Sequence, residues 1–452
     1  MRITGRAVVV ASWLLTLPLV TPAIRGADEI EYFSYLRSMA FDQDLEFGNE
    51  YRYFYARDAV GLAGFGATFL DHVEPVTGRH INFAPLGTAL FWSPLYLLAH
   101  LGVLAARAAG SAVVADGFSA PYIAAACYGS WLYGGLGLLI IHDTLRRFAG
   151  APEPDAGWAT AALLWASPLL YYMTIAPGFS HAVSVFAVAA LVWATLAARE
   201  RPGIVAWIGV GAAGGVAALV REQDALFLAV PLALLAADAI RGRRFPEAAK
   251  RSAVTIVTAV AVFVPQLLAY RTINGAFGPS RLVTRKMAYW SPHFFEVLLD
   301  PGHGLFVWAP ILLLATIALA AAARRRDVVA GALFLALVLQ AWINGSVESW
   351  SQAGAFGSRR FVGATVVFAW GLTIAIGALR RRIGPAACAA TLVLLAWWNV
   401  SLVVQFGLRL MDRQRLDWPR VAVNQVTAVP ARAARTGWLF VTDRERLRQE
   451  SR

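Results

Sequence analysis

The sequence specifies an all-α polytopic membrane protein. Three observations carry that reading: 58% of 452 residues are hydrophobic and only 15% charged, mean hydropathy is +0.56, and apolar segments follow one another with arginines at their edges. Cys127 and Cys388 lie in apolar stretches without disulfide or CxxC metal spacing, so both read as packing residues. The net charge of +12 rests on arginine, with Lys250 and Lys286 the only lysines. In a membrane protein that balance suits lipid phosphates. No basic segment interleaved with aromatics points to nucleic acid.

Arg2 and Arg6 precede an apolar run over residues 7–24, and Thr21-Pro22-Ala23 has only a faint likeness to a cleavage site. The run is long enough to be retained as a first span. Further apolar segments fall at 84–106, 118–141, 157–175, 182–198, 204–220, 225–240, 252–270, 303–323, 328–344, 362–379 and 384–404. Arg146-Arg147, Arg199 with Arg201, Arg241 to Arg251, Arg324-Arg325-Arg326 and Arg380-Arg381-Arg382 recur at every second connection, the positive-inside pattern of cytoplasmic loops. If every segment crossed from a cytoplasmic N-terminus, those loops would lie outside. One segment must therefore fail to cross. The candidate is 84–106, which holds Pro85, Pro94, His100 and Gly102 and is expected as an interfacial or re-entrant helix. About 11 transmembrane helices then remain. The expected organisation is a transmembrane domain over 1–404, with interfacial helices in a large outer loop at 25–117, and a short outer-face tail at 405–452.

The outer loops collect the unusual polar residues. Asp28 and Glu29 sit where the first span ends, and Tyr32, Tyr35, Leu36 and Met39 follow at helical spacing, which predicts an amphipathic helix along the interface. A carboxylate held there suits a general base toward a hydroxyl, or one of the oxygen ligands of a divalent cation; the residues leave both open. Asp42, Asp44 and Glu46 alternate as on one side of a strand or turn. Arg221, in Arg221-Glu222-Gln223-Asp224, must lie at the outer boundary, either snorkelling or clamping a phosphate with its planar fork of donors. Loop 271–302 adds Lys286, Gly302-His303-Gly304 opens the next span, and Trp350 to Phe361 joins a glycine-rich turn to Arg359-Arg360. His181 follows Pro177-Gly178-Phe179-Ser180 at an outer turn, in reach of a substrate or as a capping and packing histidine. There is no Ser/His/Asp elbow, GxxxxGK[ST] or HExxH, which disfavours nucleotide hydrolysis and zinc proteolysis.

The order of one span, Asp28-Glu29, Tyr32 and Asp42 through Tyr51 resembles the first outer loop of bacterial polyprenyl-phosphate-dependent glycosyltransferases of the GT-C fold, relatives of the protein O-mannosyltransferases and aminoarabinose transferases. Asn82-Phe83-Ala84-Pro85-Leu86-Gly87 is similar to the start of their juxtamembrane helix, and the stretches His303 to Pro310 and Gly354 to Phe361 to later signatures. The resemblance implies a GT-C-like enzyme of the bacterial inner membrane, working at its periplasmic face with a polyprenyl-phosphate-sugar donor and a glycan, lipid or protein acceptor. It makes Asp28 the base with Glu29 beside it, and inverting transfer then needs cations at the leaving phosphate, for which Arg221, Lys286, Arg359 and Arg360 are the candidates. Where relatives often place a basic residue before the juxtamembrane proline, this chain has Phe83-Ala84, with His80 or Arg79 as substitutes. Asp42, Asp44, His181 and His303 are candidate substrate contacts, and a divalent cation is the one candidate cofactor.

Two rival readings make different demands. A transporter or flippase places ionisable residues near the bilayer midplane and shows repeats, whereas these span interiors are nearly free of charge. A polymerase or ligase of lipid-linked glycans keeps the outer arginines but does not need acids directly after the first span.

Overall fold

The computed structural model describes residues 4–55, 68–201, 203–352 and 354–450; Arg2, the part 56–67 of the first outer loop and Ala353 of the glycine-rich turn lie outside the described residues. Among the described residues the fold is helical, and β pairing is limited to the isolated bridges Val73–His80 and Met287–Val347. The chain runs through α1 (Gly5–Leu15), α2 (Ala27–Arg37), α3 (Gly48–Tyr55), α4 (Gly87–Ala108), α5 (Ala120–Arg147), α6 (Glu153–Ala166) and α7 (Leu169–Thr174). It continues with α8 (His181–Glu200), α9 (Ile204–Val220), α10 (Ala229–Gly242), α11 (Phe245–Asn274) and the short turns α12 (Arg281–Thr284), α13 (Glu296–Leu299) and α14 (Leu305–Trp308). Then come α15 (Pro310–Arg324), α16 (Val328–Gly345), α17 (Thr365–Gly407) and the tail helices α18 (Trp418–Val426), α19 (Ala428–Thr442) and α20 (Arg444–Glu450).

Among the described residues, 7 helices are long and apolar enough to cross a membrane, and α1, α9 and α15 are shorter apolar helices. α17 is a hairpin. Gly384 has φ +81°, Pro385 follows it, and Cys388 Sγ lies 4.0 Å from the Ile376 carbonyl oxygen. In a straight helix those two residues would be about 18 Å apart. The sequence boundary between 362–379 and 384–404 therefore survives as a turn.

The bundle has two chemically distinct ends. At one, short connections are closed by ion pairs: Arg147 to Glu200 at 2.7 Å, Arg199 to Asp238 at 2.8 Å, Arg146 to Glu153 at 2.5 Å and Arg380 to Asp155 at 2.6 Å. α1 begins there, with Gly5 against Glu153 and Gly157 so closely that a side chain at either glycine would collide with backbone. At the other end lie α2, α3 and the loops before α8, α10 and α17.

Several sequence expectations change in the folded chain. The first span was expected over 7–24, but helical geometry ends at Leu15, where Thr16 Oγ bonds the Trp13 carbonyl at 2.6 Å; a 3-10 turn and extended backbone follow, as Pro18 and Pro22 favour. α2 is not the two-faced surface helix its spacing suggested. Residues Glu29 through Leu36 are all buried, because Tyr32 and Phe33 pack on Trp92 and Tyr96 of α4 while Tyr35 meets Phe47. Residues 42–46 form no strand, since Ser38–Asp42 is a π turn ended by Gln43 at φ +58°.

α4 is continuous over Gly87–Ala108 and long and apolar enough to span, although an interfacial helix was expected there. Its contacts run along the half of α5 remote from Arg146-Arg147: Phe91 on Tyr133, Trp92 Nε1 to Ser130 Oγ at 2.9 Å, and His100 Nδ1 to the Tyr122 hydroxyl at 2.6 Å. The tail packs at the Asp28 end, where Arg444 donates to the carbonyls of Pro18 and Val20 at 2.6 and 2.5 Å, and Trp418 stacks on Trp398 at 4.8 Å.

α15 and α17 pack closely at Gly371, where an added methyl would run into the Ala315 carbonyl and the Leu319 side chain. Gly371→Ala is expected to cost about 1–3 kcal/mol by overpacking. It is read as a lowered unfolding midpoint of the purified protein in detergent, and an unchanged midpoint would contradict this packing.

Candidate active site

Asp28 is set by a helix start. Gly26 is the N-cap of α2 in extended conformation, so Asp28 and Glu29 fall in the first turn, where the helix dipole favours carboxylates. Their side chains then diverge. Glu29 turns back, and its Oε2 accepts from the backbone N–H of Arg25 at 2.7 Å and of Gly26 at 2.6 Å, the acidic half of a capping box. Asp28 points outward: its side chain is 44% exposed and its Oδ2 lies 3.0 Å from Arg359 Nη2.

Arg359 opens the 3-10 turn Arg359–Ala364 before α17, and its guanidinium lies over the Phe179 ring at 4.7 Å. The 176–181 turn is thereby fixed against α2, with Gly26 under the Phe179 ring and Gly178 beside the Glu29 carboxylate. Beyond Phe179, Ser180 Oγ bonds the Tyr32 hydroxyl at 2.9 Å, and Arg221 reaches Ser180 Oγ at 3.1 Å and His181 Nδ1 at 2.9 Å. Because Arg221 is always a donor, Nδ1 accepts and the imidazole hydrogen sits on Nε2. His181 is buried, stacked on Phe179 and edge-on to Tyr172, so it orients Arg221 from beneath.

Two glutamines complete this floor. Gln223 accepts from Arg221 Nη2 at 3.2 Å and donates to the Arg360 carbonyl at 2.8 Å, while Gln340 Nε2 donates to the Gln223 carbonyl at 2.9 Å. Arg360 itself turns aside to Ser349, at 3.2 Å to its carbonyl and 2.9 Å to its hydroxyl. The charges of Arg359, Arg221 and Asp28 all act on Arg360, so the four residues lie near one another, with the Asp28 carboxylate half exposed.

The other expected site residues lie apart from that group. Lys286 is exposed and joins this end through its carbonyl, which accepts from Glu348 N–H at 2.7 Å. His80 pairs with Glu46 instead of reaching the guanidiniums. Asp42 accepts from Arg37 and from Asn49 Nδ2 at 2.7 Å, and Asp44 accepts from Ser38 Oγ at 2.7 Å, so both stitch the loop after α2. His303 stacks on Trp308 at 5.1 Å and faces the Arg413 carbonyl at 3.2 Å, in the layer shared with the tail. Among the described residues no group of three His, Cys, Asp or Glu side chains is placed to hold a metal ion.

Glu31, one turn after Asp28, has no counterpart among the sequence candidates. It is buried, its Oε1 accepts from Phe83 N–H at 2.6 Å, and its carbonyl accepts from Asn82 Nδ2 at 3.0 Å. It thus anchors the segment that resembled the family's juxtamembrane motif. Gln223, Gln340 and Ser180 were also missed. For Gln340 a signal existed, an amide within the apolar run of α16.

With the geometry in place, the fold defines a class: the protein has the GT-C fold. Residues 118–269 match the family described as dolichyl-phosphate-mannose-protein mannosyltransferase. Among solved structures the chain is similar to ArnT from Cupriavidus metallidurans bound to undecaprenyl phosphate, with 18% identity and a TM-score of 0.53 over 93% of this chain and 74% of that one. It is also similar to the oligosaccharyltransferase of Archaeoglobus fulgidus in its apo form, with 11% identity and a TM-score of 0.50 over 97% of this chain and 60% of that one. No curated protein matches the sequence. The family match and the fold together indicate a GT-C membrane glycosyltransferase.

Burial raises the Glu29 carboxyl from 4.5 to about 7 against the pull of the Gly26 and Arg25 N–H groups, and raises Glu31 from 4.5 to about 8, with the Asp28 charge adding to the effect. A raised folded-state value means that the stability these groups contribute is complete below their unfolded value and is lost as pH rises through the folded one. The unfolding midpoint is therefore expected to fall between about pH 4.5 and pH 8. In Glu31→Gln that fall should be shallower. A wild-type midpoint that rises across this window would contradict the assignment.

Proposed function

We propose that the protein transfers a sugar from a polyprenyl-phosphate donor to an acceptor hydroxyl at the Asp28 end of the bundle, taken to be the periplasmic face of a bacterial inner membrane. The observation that carries this reading is the half-exposed Asp28 carboxylate 3.0 Å from Arg359, beside an Arg221 held by Ser180 and His181. The acceptor oxygen attacks the anomeric carbon from the side opposite the leaving group, with inversion. The new C–O bond forms as the bond from that carbon to the carrier phosphate breaks. The electron pair leaves on the phosphate oxygen, and the acceptor proton passes to Asp28. Arg359 and Arg221 offer planar donors to the phosphate as its charge grows.

Arg359 is held by Asp28. An arriving phosphate competes for the same guanidinium and frees the carboxylate to meet the acceptor. Glu29 supports this by fixing the start of α2, and His181 by fixing Arg221. Arg360 is assigned to the same phosphate through rotation away from Ser349. Lys286, on an exposed loop, and His80 are assigned to the donor phosphate, and Asp42, Asp44 and His303 to contacts with the substrate.

Support also comes from the resemblance of the first outer loop and from the structure of ArnT bound to undecaprenyl phosphate, which shares this fold. The test is transfer from a synthetic polyprenyl-phosphate sugar in detergent. Asp28→Asn is expected to lower turnover by about 100- to 10,000-fold while the protein stays folded. Arg359→Gln should lower turnover and raise the donor KM, and Arg359→Lys should restore only part of either because it lacks the fork. Normal transfer by a folded Asp28→Asn protein would remove Asp28 as the base.

A further inference from the structure

A groove lies at the opposite end of the bundle. α15 and the first arm of α17 touch at Gly371 and Ala315. The groove lies between these two helices, has a volume of about 600 Å³ and is walled by residues such as Leu314, Ile317 and Ala378, with Arg325, Arg382 and Asp327 at its mouth. From Leu314 to Arg325 the groove runs about 16 Å along the helix. Ile317 is 60% exposed on its wall.

The charges at the mouth decide what fits. Asp327 is already engaged, its Oδ1 accepting from the N–H groups of Val329 at 3.0 Å and Ala330 at 3.1 Å as the N-cap of α16. Arg380, in the same cluster, is paired with Asp155. Arg325 and Arg382 are exposed and form no ion pair among the described residues, unlike Arg146, Arg147 and Arg199 at this end. Two guanidiniums without an ion pair therefore stand, with the Asp327 carboxylate beside them, at the mouth of an apolar slot about three helical turns long.

We propose that this groove binds an anionic membrane glycerophospholipid, its phosphate held between Arg325 and Arg382 and an acyl chain laid along Leu314, Ile317 and Ala378. Planar donors match a phosphate diester, and basic mouths between membrane helices suit acidic headgroups. A zwitterionic headgroup brings its own cation against the two arginines and is disfavoured. The site is separate from the Asp28 end and does not depend on the transfer reaction.

The experiment measures binding of fluorescent phosphatidylglycerol and phosphatidylcholine to the full-length protein in detergent. Wild type should bind phosphatidylglycerol at least about tenfold more tightly, as expected from roughly one lost ionic hydrogen bond per guanidinium. Arg325→Gln/Arg382→Gln should abolish that preference, and Ala378→Trp should weaken both lipids by filling the slot. Ala378→Leu gives the same reading if the tryptophan variant does not fold. Inorganic phosphate should not compete, since it has no chain to bury. Equal binding of the two lipids by wild type, or a preference that survives in the double arginine variant, would overturn the proposal. So would a wild-type dimer that Ala378→Trp makes monomeric with lipid binding unchanged.

Discussion

The ion pair between Arg359 and Asp28 is the contact on which this end of the protein depends. It joins the start of α2 to the turn before α17, elements more than 300 residues apart in the chain, at a boundary where an isolated charge is costly. Everything around it serves to hold one of the two partners. Glu29 closes the first turn of α2, Phe179 lies beneath the guanidinium, and Gln223 fixes the carbonyl of the next residue, Arg360. A pair that is half exposed on the acid side gains little stability by itself. Its consequence is positional: an acid and a fork of donors are kept at hydrogen-bond distance with solvent access on one side.

The two ends of the bundle use arginine in different ways. At the loop end, Arg146, Arg147, Arg199 and Arg380 are matched by carboxylates from neighbouring helices, which ties short connections together. At the Asp28 end, Arg221 has neutral partners, Ser180, His181 and Gln223, so its positive charge is oriented without being cancelled. That difference separates a structural cation from one available to an anion.

Much of this was legible in the residues. The helical class, the break between the segments 362–379 and 384–404 and the concentration of polar residues in a few loops follow from hydropathy and from the arginines that punctuate it. Asp28, Arg221 and Arg359 stood out because a charge at the edge of an apolar segment has few places to go. What could not be read was direction. Glu29 and Asp28 are adjacent, and only the start of the helix decides that one caps its own backbone while the other faces out. The partner of His80 lies 34 residues away and that of His303 lies 110 residues away, so nothing local revealed that both were occupied. α2 shows spacing suited to a surface helix, but α4 and the segment carrying Phe47 cover its other face. Glu31 was not among the sequence candidates, and only the fold turns it toward Phe83.

The central claim is that Asp28 takes the acceptor proton while Arg359 belongs to the phosphate. Equilibrium binding of polyprenyl phosphate to wild type and Asp28→Asn separates the two roles directly. If the acid only competes for Arg359 before the lipid arrives, the asparagine variant binds polyprenyl phosphate as tightly as wild type or more tightly. Binding weakened by tenfold or more in a folded Asp28→Asn protein would make Asp28 part of the phosphate site and contradict the account.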